Sequence, residues 1–539
     1  MKVTHLNIKA TNKFATDYLS EAEDVLNFFD YTYKDQQQFE KRKRELSARN
    51  FNRAALANHI EEFMKNWSTK ATLESIERLK HESSLVVIGG QQAGLFTGPL
   101  YSIHKVLSVL QLAKQQEEKL NVPVIPIFWI AGEDHDYQEV NHIYLHNEKE
   151  VKKFTDAKKL KTKPMVSRIT VDRLALSKQL EEAISFLGET NYSKEVLHKL
   201  RSLIETSTNY VDFFSSFIME LFKDTPLLLV DSGNQEFKQL QKEFLQLQIN
   251  HAKEINDCVL SAQQQIKQKN YPLTLEQSNT NANLFFYDED KEERILLDYV
   301  DDQFIHTEKS ILFSKEKMLE FALQSPEVIS NNVVTRPLMQ ELLFPTLAFI
   351  GGPGEISYWA ELKQVFELFQ LKMPIIVPRV NITLVDTTCL NYMNQLNISM
   401  EEALSGQVEE KKLARLSKLR DLTIPNIIEE TLKLVQGQYD LMKENVTDVS
   451  LLPIMEKNEQ LVSSQLQFLN KKVERSFLLK EDTLIRQYDY VDNHLYPQHT
   501  YQERKLNILQ FLNENGLDFV NKLTLIPLKF DGTHHIIEI

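Results

Sequence analysis

Four short apolar runs, each followed at once by a polar or glycine-rich loop, constrain the fold of this 539-residue chain most strongly, and PIIVPR is a candidate for a fifth run. Uninterrupted apolar runs of this length are typical of strands buried on both faces of a parallel sheet. Helical stretches, notably 100–119 and 357–371, alternate with the runs, and this alternation predicts a doubly wound α/β fold. The runs are LVVI (85–88), VIPIFWI (124–130), LLLV (227–230) and LAFI (347–350), with PIIVPR (374–379) as the candidate fifth.

Two long segments interrupt this alternation and predict insertions. Segment 151–210 opens with a lysine-rich stretch and continues as helical sequence, whereas segment 262–330 has alternating patterns typical of a small β-containing subdomain. Residues 1 to about 80 carry apolar residues three and four apart, which predicts helices. We therefore expect a parallel-sheet core with inserted subdomains over residues 1–385.

From about 386 to 510 the composition changes, and glycine nearly disappears. Apolar residues there keep a spacing close to a heptad seam, and segment 424–446 offers an antiparallel partner helix. Two arrangements fit this pattern, a helical hairpin packed on its own domain and a protruding coiled coil that dimerises. Residues 511–539 are expected to pack back on the core. The seam consists of Met455, Val462, Leu466, Leu469, Val473 and Phe477.

Charge and composition exclude several classes of protein. The formal net charge of −14 argues against binding to nucleic acid or to an anionic membrane surface. The longest apolar run, 122–131, is too short to span a bilayer, and no signal peptide is evident, so we expect a cytoplasmic protein. Cys258 and Cys389 lie in unrelated contexts, which excludes a disulfide framework.

Half of the 14 glycines lie in two of the loops that follow predicted strands, 89–98 and 351–354. In open parallel sheets, ligands bind beyond the carboxyl ends of the strands, and glycine lets the backbone approach them closely. The two loops therefore predict one shared pocket. The first loop matches neither the phosphate-binding G-x-x-x-x-G-K-[ST] pattern nor the dinucleotide-binding G-x-G-x-x-G pattern.

Two further loops supply charged groups to the predicted pocket. GEDHD (132–136) suits Mg²⁺ ligation, binding of an ammonium group, or general-base catalysis by His135, although Glu133 or Asp134 capping a helix would also explain it. Arg336 is suited to hold a carboxylate or phosphate, and the loop and helix start at 351–359 could surround an amino or sugar group.

The segment TGPLYSIH (97–104) resembles the T-G-x-L-H-x-G-H element of class I aminoacyl-tRNA synthetases. The resemblance puts Tyr101 at the first histidine of that element and His104 at the second, near the phosphates of ATP. Two positions depart from the element, since Tyr101 replaces a histidine and Ile103 replaces a glycine.

Four long motifs together resemble the bacillithiol biosynthesis cysteine-adding enzyme family, and the likeness extends from FFDY (28–31) to the C-terminus. The resemblance implies a Rossmann-like α/β core with inserted connecting subdomains and an α-helical coiled-coil domain that forms a homodimer. It also implies the last step of bacillithiol synthesis, in which L-cysteine is joined to the amine of glucosaminyl malate. The motifs are GGQQAGLFTGPLYSIHK, PVIPIFWIAGEDHD, NNVVTRPLMQE and GGPGEISYWAELKQ.

An amide bond between a free carboxylate and an amine requires activation, most economically by ATP, through an adenylate or an acyl phosphate. We expect the adenylate, with Mg²⁺ as a possible companion of the nucleotide. A non-catalytic nucleotide- or metabolite-binding homodimer, and a metal-dependent deacylase of the same glycoside, are the alternatives.

The resemblance and the loop chemistry together predict roles for twenty residues. Thr97, Gly98 and His104 would contact the phosphates or the activated carboxyl, and Lys105 would add positive charge. Asp134, His135 and Asp136 would bind amines and remove a proton, while Arg336, Lys372 or Arg379 would hold malate carboxylates. The other predicted binding residues are Gly89, Gly90, Gln91, Gln92, Tyr101, Gly351, Gly352, Gly354, Glu355 and Tyr358.

Overall fold

The five apolar runs form a single parallel sheet in the computed structural model, which describes residues 1–539. Across the sheet the strand order is β5-β4-β1-β2-β3, and every neighbouring pair is parallel. Chain order therefore reverses between β1 and β4, where ligands bind in folds of this type. Numbered along the chain, the strands are β1 (Leu85–Gln91), β2 (Val124–Ile130), β3 (Leu228–Asp231), β4 (Thr346–Gly351) and β5 (Ile375–Pro378).

The two glycines that end the apolar run of β1 allow close packing around the centre of the sheet. A Cβ atom on Gly89 would lie 2.8 Å from Val109 Cγ2 on the helix Tyr101–Leu120. A Cβ atom on Gly90 would lie 2.9 Å from the carbonyl oxygen of Trp129 on β2. Neither distance is tolerated by a real side chain, so these glycines serve helix-to-sheet and strand-to-strand contact.

The turn that follows β1 has an unusual backbone. Phe96, Thr97 and Gly98 have φ angles of 45°, 74° and 69°, in the left-handed region that costs energy for residues other than glycine. Asn507 holds the turn by donating hydrogen bonds to the carbonyls of Phe96 (2.8 Å) and Gly98 (2.5 Å). The turn is therefore fixed by a side chain more than 400 positions away in the chain.

The insertion 262–330 contains the predicted β subdomain, a five-stranded antiparallel sheet. Insertion 151–210 is mainly helical, as predicted, after the short strand pair His142–His146 and Val151–Thr155. The antiparallel strands, in order across the sheet, are Ile311–Ser314, Gln303–His306, Glu293–Val300, Asn281–Asp288 and Ile329–Asn331.

Two local predictions were wrong. The first residues of the chain, expected to be helical, form the strand Lys2–Leu6, which pairs antiparallel with His534–Glu538 in a three-stranded sheet completed by Asn381–Val385. The expected helix over 357–371 is two short helices, Pro353–Trp359 and Lys363–Leu368.

The remaining helices cover most of the chain outside the sheets. They are Lys13–Leu19, Glu23–Leu26, Gln36–Ser47, Arg53–Met64, Lys70–Leu79, Tyr137–Val140, Arg173–Leu187, Ser193–Thr206, Tyr210–Leu221, Gln235–Gln239, Lys242–Asn250, Ala252–Gln268, Lys315–Gln324, Thr335–Leu343, Thr387–Leu396, Met400–Leu404, Val408–Leu419, Thr423–Asn445, Leu452–Lys480, Asp482–Leu495, Gln502–Lys505, Ile508–Asn515 and Phe519–Thr524. None of the helices combines the length and the apolar character that a membrane span requires.

The chain divides into two compact units. The core unit contains Met1–Leu145, Lys152–Leu384 and Gln502–Ile539, and the helical unit contains His146–Val151 and Val385–Tyr501. The chain therefore rejoins the core at Gln502, earlier than the expected 511. Gln502 is buried and exchanges two hydrogen bonds with the backbone of Leu384.

The helical unit contains the predicted antiparallel hairpin. Its helices, Thr423–Asn445 and Leu452–Lys480, pack on each other, and an ion pair of 2.5 Å joins Lys443 to Glu459 across them. Five of the six predicted seam residues are partly buried, and Leu469 is exposed. The heptad spacing therefore identified the contact face of the hairpin.

Candidate active site

A cavity of about 810 Å³ lies at the carboxyl ends of β1, β2 and β4, where the strand order reverses. Its walls combine the loops after these strands with residues of the antiparallel insertion. The cavity is large enough for a ligand of drug size or larger. The predicted residues that border it are Gly90, Gln91, Gln92, Tyr101, Lys105, Asp134, His135, Asp136, Arg336, Gly352, Gly354, Glu355, Tyr358 and Arg379.

Lys105 joins the two glycine-containing loops into one wall of the cavity. Its Nζ atom donates to the carbonyl of Gly90 (2.6 Å), to Gln91 Oε1 (3.1 Å) and to Glu355 Oε2 (2.5 Å). An ammonium group has three hydrogens, so no donor is left for a ligand. Burial lowers the pKa of Lys105, and Glu355 opposes that effect. Lys105 was predicted to add positive charge to the site, and a direct contact with a ligand would require one of these bonds to break.

His104, predicted to be catalytic, does not border the cavity. Its side chain is fully buried, and Nδ1 lies 3.0 Å from Oε2 of Glu503. Burial lowers the pKa of His104, and Glu503 offsets only part of that effect. His104 therefore has no direct path to a ligand, and its contact with the cavity runs through Glu503 and Arg379.

Arg379 borders the cavity but is already neutralised. Its Nη1 and Nη2 atoms donate to the two carboxylate oxygens of Glu503 at 2.6 Å and 2.7 Å. Burial alone would raise the pKa of Glu503, but Arg379 and His104 hold it well below its usual range. The guanidinium is thus held in place by Glu503 and is not free to take a ligand carboxylate in the same way.

Five other predicted residues lie outside the cavity. Thr97 and Gly98 belong to the buried turn that Asn507 holds, and Gly89 and Gly351 are buried in strands β1 and β4. Lys372 precedes β5, so it lies at the amino edge of the sheet, opposite the carboxyl edge that carries the cavity. The short-range patterns that selected these residues do not tell which side of a strand or turn faces the ligand.

The three acidic residues of the GEDHD loop differ in burial and in hydrogen-bond partners. Glu133 is buried and forms an ion pair of 2.6 Å with the buried Lys238. Asp134 accepts from the backbone N–H of His135 (2.7 Å) and from Gln92 Nε2 (2.7 Å), whereas Asp136 is exposed at the rim. Neither Glu133 nor Asp134 caps a helix, so the capping explanation is wrong.

Arg294 and Arg336 are cavity cations without a carboxylate partner. Arg336 donates to Gln340 Oε1 (3.2 Å) and to the hydroxyl of Tyr358 (2.8 Å), which are both neutral. Arg294 comes from the antiparallel insertion and also bonds only uncharged groups. Arg294, Asn331, Asn332 and Arg504 also border the cavity, although no sequence pattern singled them out as site residues. No short motif surrounds Arg294, so only its position in the folded insertion identifies it.

Comparison with known proteins supports the resemblance noted in the sequence. Residues 1–380 match the model described as "Bacillithiol biosynthesis BshC, N-terminal Rossmann-like domain", and residues 382–539 match the "C-terminal coiled-coil domain" of the same family. The chain belongs to the BshC family. The Rossmann-like core and the coiled-coil region expected from the sequence are thereby confirmed, although residues from Gln502 onward fold with the core unit.

Several curated relatives match over nearly their full length. The protein of Geobacillus thermodenitrificans is 37% identical over 544 residues, with both chains fully covered. Those of Bacillus licheniformis (35%, both chains fully covered) and Bacillus cytotoxicus (37%, 97% of each chain) are similarly close. Each of these BshC proteins carries the name "Putative cysteine ligase BshC".

Proposed function

We propose that this chain is a cysteine ligase that joins L-cysteine to the amine of glucosaminyl malate and so forms bacillithiol. The observation that carries the proposal is the pair of cavity arginines, Arg294 and Arg336, which bond only neutral partners. Both border the same cavity as the acids Asp134 and Asp136. Such a cavity complements a ligand that has carboxylates at one end and an amine at another.

The arginines give the binding of malate a physical basis. A guanidinium withdrawn from water loses solvation energy, and a carboxylate that binds it through two N–H groups restores a large part of that energy. The malate moiety carries two carboxylates, and Arg294 and Arg336 are cations in the cavity that the protein itself does not neutralise. Arg379 and Lys105 are less suited to this role because Glu503 and Glu355 already occupy them.

Formation of the amide requires activation of the cysteine carboxylate, and we propose ATP as the co-substrate, through an adenylate. No group of three or more His, Cys, Asp and Glu side chains is arranged to hold a metal ion. Mg²⁺ would therefore arrive with the nucleotide and take one or two protein carboxylates, a common arrangement for this ion. Asp136, exposed at the rim, is the carboxylate best placed to supply such a ligand.

The test is incubation of the purified protein with L-cysteine, glucosaminyl malate and Mg-ATP, followed by mass spectrometry of the thiol and chromatography of the nucleotides. Thiol together with AMP supports the adenylate, and thiol together with ADP supports an acyl phosphate instead. Tight binding of the substrates with no product would indicate the non-catalytic binding protein. Release of a carboxylate from an acylated glycoside would indicate the deacylase. Reactions lacking one substrate at a time are the controls.

We also propose that the hairpin of the helical unit forms a homodimer. It exposes large apolar residues along both helices, among them Leu434 (68% exposed) and Ile454 (64%). Exposed apolar patches of this kind mark interaction surfaces. Light scattering should give the mass of a dimer, and Leu434→Lys combined with Ile454→Lys should give a monomer with an unchanged helical circular dichroism spectrum. Consumption of ATP and a free thiol substrate suits the cytoplasm, which is the compartment we propose.

A further inference from the structure

Arg294 holds a fixed position beside His135 in the wall of the cavity. Its Nε atom donates to Ser330 Oγ (2.8 Å), and Nη2 donates to the carbonyl of Asn331 (2.5 Å). The guanidinium carbon also lies 3.7 Å from the ring centre of Phe285. These contacts point the remaining fork atom, Nη1, at His135 Nδ1, which is 3.2 Å away.

The contact between Arg294 and His135 determines which imidazole nitrogen carries the proton. A guanidinium has only donors and stays protonated in proteins, so His135 Nδ1 must be the acceptor. The neutral ring then carries its hydrogen on Nε2. The nearest carboxylate oxygen to Nδ1, Asp134 Oδ1, is 3.9 Å away, beyond hydrogen-bonding distance. Nε2 has no hydrogen-bond partner in the protein, and the ring borders the cavity.

We propose that Arg294, besides binding a malate carboxylate through the two N–H groups that these contacts leave free, is a positioning residue for His135. It makes His135 a hydrogen-bond donor to the substrate, through Nε2–H, and prevents it from acting as a general base. This inference rests on the proposed condensation for its substrate and corrects the role expected for His135 from the sequence. The group that receives the hydrogen bond is the oxygen of the cysteine carbonyl under attack, where negative charge develops.

The chemistry of the condensation then balances with a carboxylate as the base. The amine nitrogen forms a bond to the carbonyl carbon, and the bond from that carbon to the phosphate oxygen of the adenylate breaks, which releases AMP. The proton that the amine loses goes to a carboxylate that borders the cavity, with Asp134 and Asp136 on the same loop as His135. His135 keeps its proton throughout.

The other charges around His135 partly cancel. Burial lowers the pKa of His135, and Arg294 and Lys163 lower it further, while Asp136 and Asp134 raise it. The balance leaves the ring neutral near pH 7, as a donor role through one nitrogen requires. The hydrogen bond to Arg294, which depends only on donor and acceptor chemistry, then selects the tautomer.

Nitrogen NMR of the unliganded protein tests the tautomer directly. Protein labelled with ¹⁵N-histidine is compared with the labelled His135→Gln variant, and the difference spectrum isolates the two ring nitrogens of His135. We expect Nε2 to be protonated and Nδ1 to be unprotonated in wild type, and we expect a mixture of tautomers in Arg294→Met. Protonated Nδ1 in the wild-type protein would overturn the proposal. Because no substrate is present, this outcome is independent of whether the condensation itself is confirmed.

Kinetics of paired variants test the donor role. His135→Gln keeps an N–H donor but has no basic nitrogen, whereas His135→Ala has neither group. We expect His135→Ala to lower kcat by about 10²–10³-fold, because it removes one hydrogen-bond donor to a developing oxyanion. His135→Gln retains a donor, so its kcat should stay within about tenfold of wild type. If His135 were a base, both variants would be equally impaired, and that result would contradict the proposal.

A third variant separates the fork geometry of Arg294 from its charge. Arg294→Lys keeps the positive charge but loses the planar fork, in which three separate nitrogens contact Ser330, Asn331 and His135. We expect its kcat to fall while the KM for cysteine stays the same, because the tautomer of His135 is no longer held. Wild-type kcat in a folded Arg294→Lys protein with a mixed tautomer would show that the positioning role is wrong.

Discussion

Arg379, which borders the cavity, forms a buried, two-bonded ion pair with Glu503, with N–O distances of 2.6 Å and 2.7 Å. Arg379 directly follows β5, and Glu503 belongs to the C-terminal segment that returns to the core unit. Both side chains are almost fully buried. The pair therefore attaches the end of the chain to the edge of the sheet that carries the site.

Loss of the Glu503 carboxylate should destabilise the core unit strongly. Glu503→Gln leaves the Arg379 charge buried without a partner, and removal of one member of such a pair costs about 3–5 kcal/mol. Urea unfolding followed by tryptophan fluorescence measures the change. The control is Asp257→Asn, which breaks the solvent-exposed pair with Lys253 and should change the free energy of unfolding far less. Equal effects of the two substitutions would contradict the prediction.

The glycines of the two loops should respond differently to alanine. Gly90→Ala puts a methyl group 2.9 Å from the carbonyl oxygen of Trp129, so we expect a loss of about 1–3 kcal/mol in the free energy of unfolding. Gly354→Ala meets no atom within 4 Å and lies in the helix Pro353–Trp359, so it should be neutral or stabilising by up to about 1 kcal/mol. Chemical denaturation distinguishes the two variants.

Asp231 should make stability depend on pH. Burial, followed by the charge of Glu133, raises the pKa of this carboxyl to about 7, while the N–H of Gly233 and the charge of Lys238 lower it. An unfolded aspartate titrates near about 3.9. The protonated form therefore stabilises the fold below about pH 4, and that contribution is lost as the pH rises through 7.

Asp231→Asn removes this titration and keeps an oxygen to accept from the N–H of Gly233, which is 2.9 Å away. Relative to wild type, the variant should gain stability between pH 5 and pH 8 by at most about 3 kcal/mol, because about two pKa units of the titration lie in this range at about 1.4 kcal/mol per unit. Urea unfolding at the two pH values gives the difference. Parallel pH profiles of the two proteins would show that Asp231 is ionised throughout.

Arg336 should determine affinity for the malate portion of the substrate. Arg336→Met removes a charge-assisted bond worth about 1.5–3 kcal/mol, so the KM for glucosaminyl malate should rise about 10–100-fold. The KM for cysteine should not change. As a control, wild type and variant should use a glucosamine glycoside without the malate group equally poorly. An unchanged KM for glucosaminyl malate would assign the malate to other residues.

Local sequence patterns were sufficient to predict the strands of the parallel sheet but not to predict the contacts of individual side chains. All five apolar runs form strands of one sheet. A continuous apolar run has no polar face to turn toward water, so it is suited to a strand that is covered on both faces. Glu355 and Lys105 could be placed in one pocket from the loops that carry them. His104 could not be placed outside it, since only Glu503, 399 positions away, shows which way its ring points.

The sequence by itself determined the alternation of strands and helices, the position of the two insertions, the hairpin seam and the family, because these depend on periodicity and on motifs that are continuous in the chain. The tertiary structure decided which polar groups face the cavity and which neutralise each other. Arg294 reaches His135 from an insertion 159 positions away, and Glu503 reaches Arg379 from 124 positions away. Pairing of polar and charged side chains over such separations depends on how distant segments pack, and no local pattern records it.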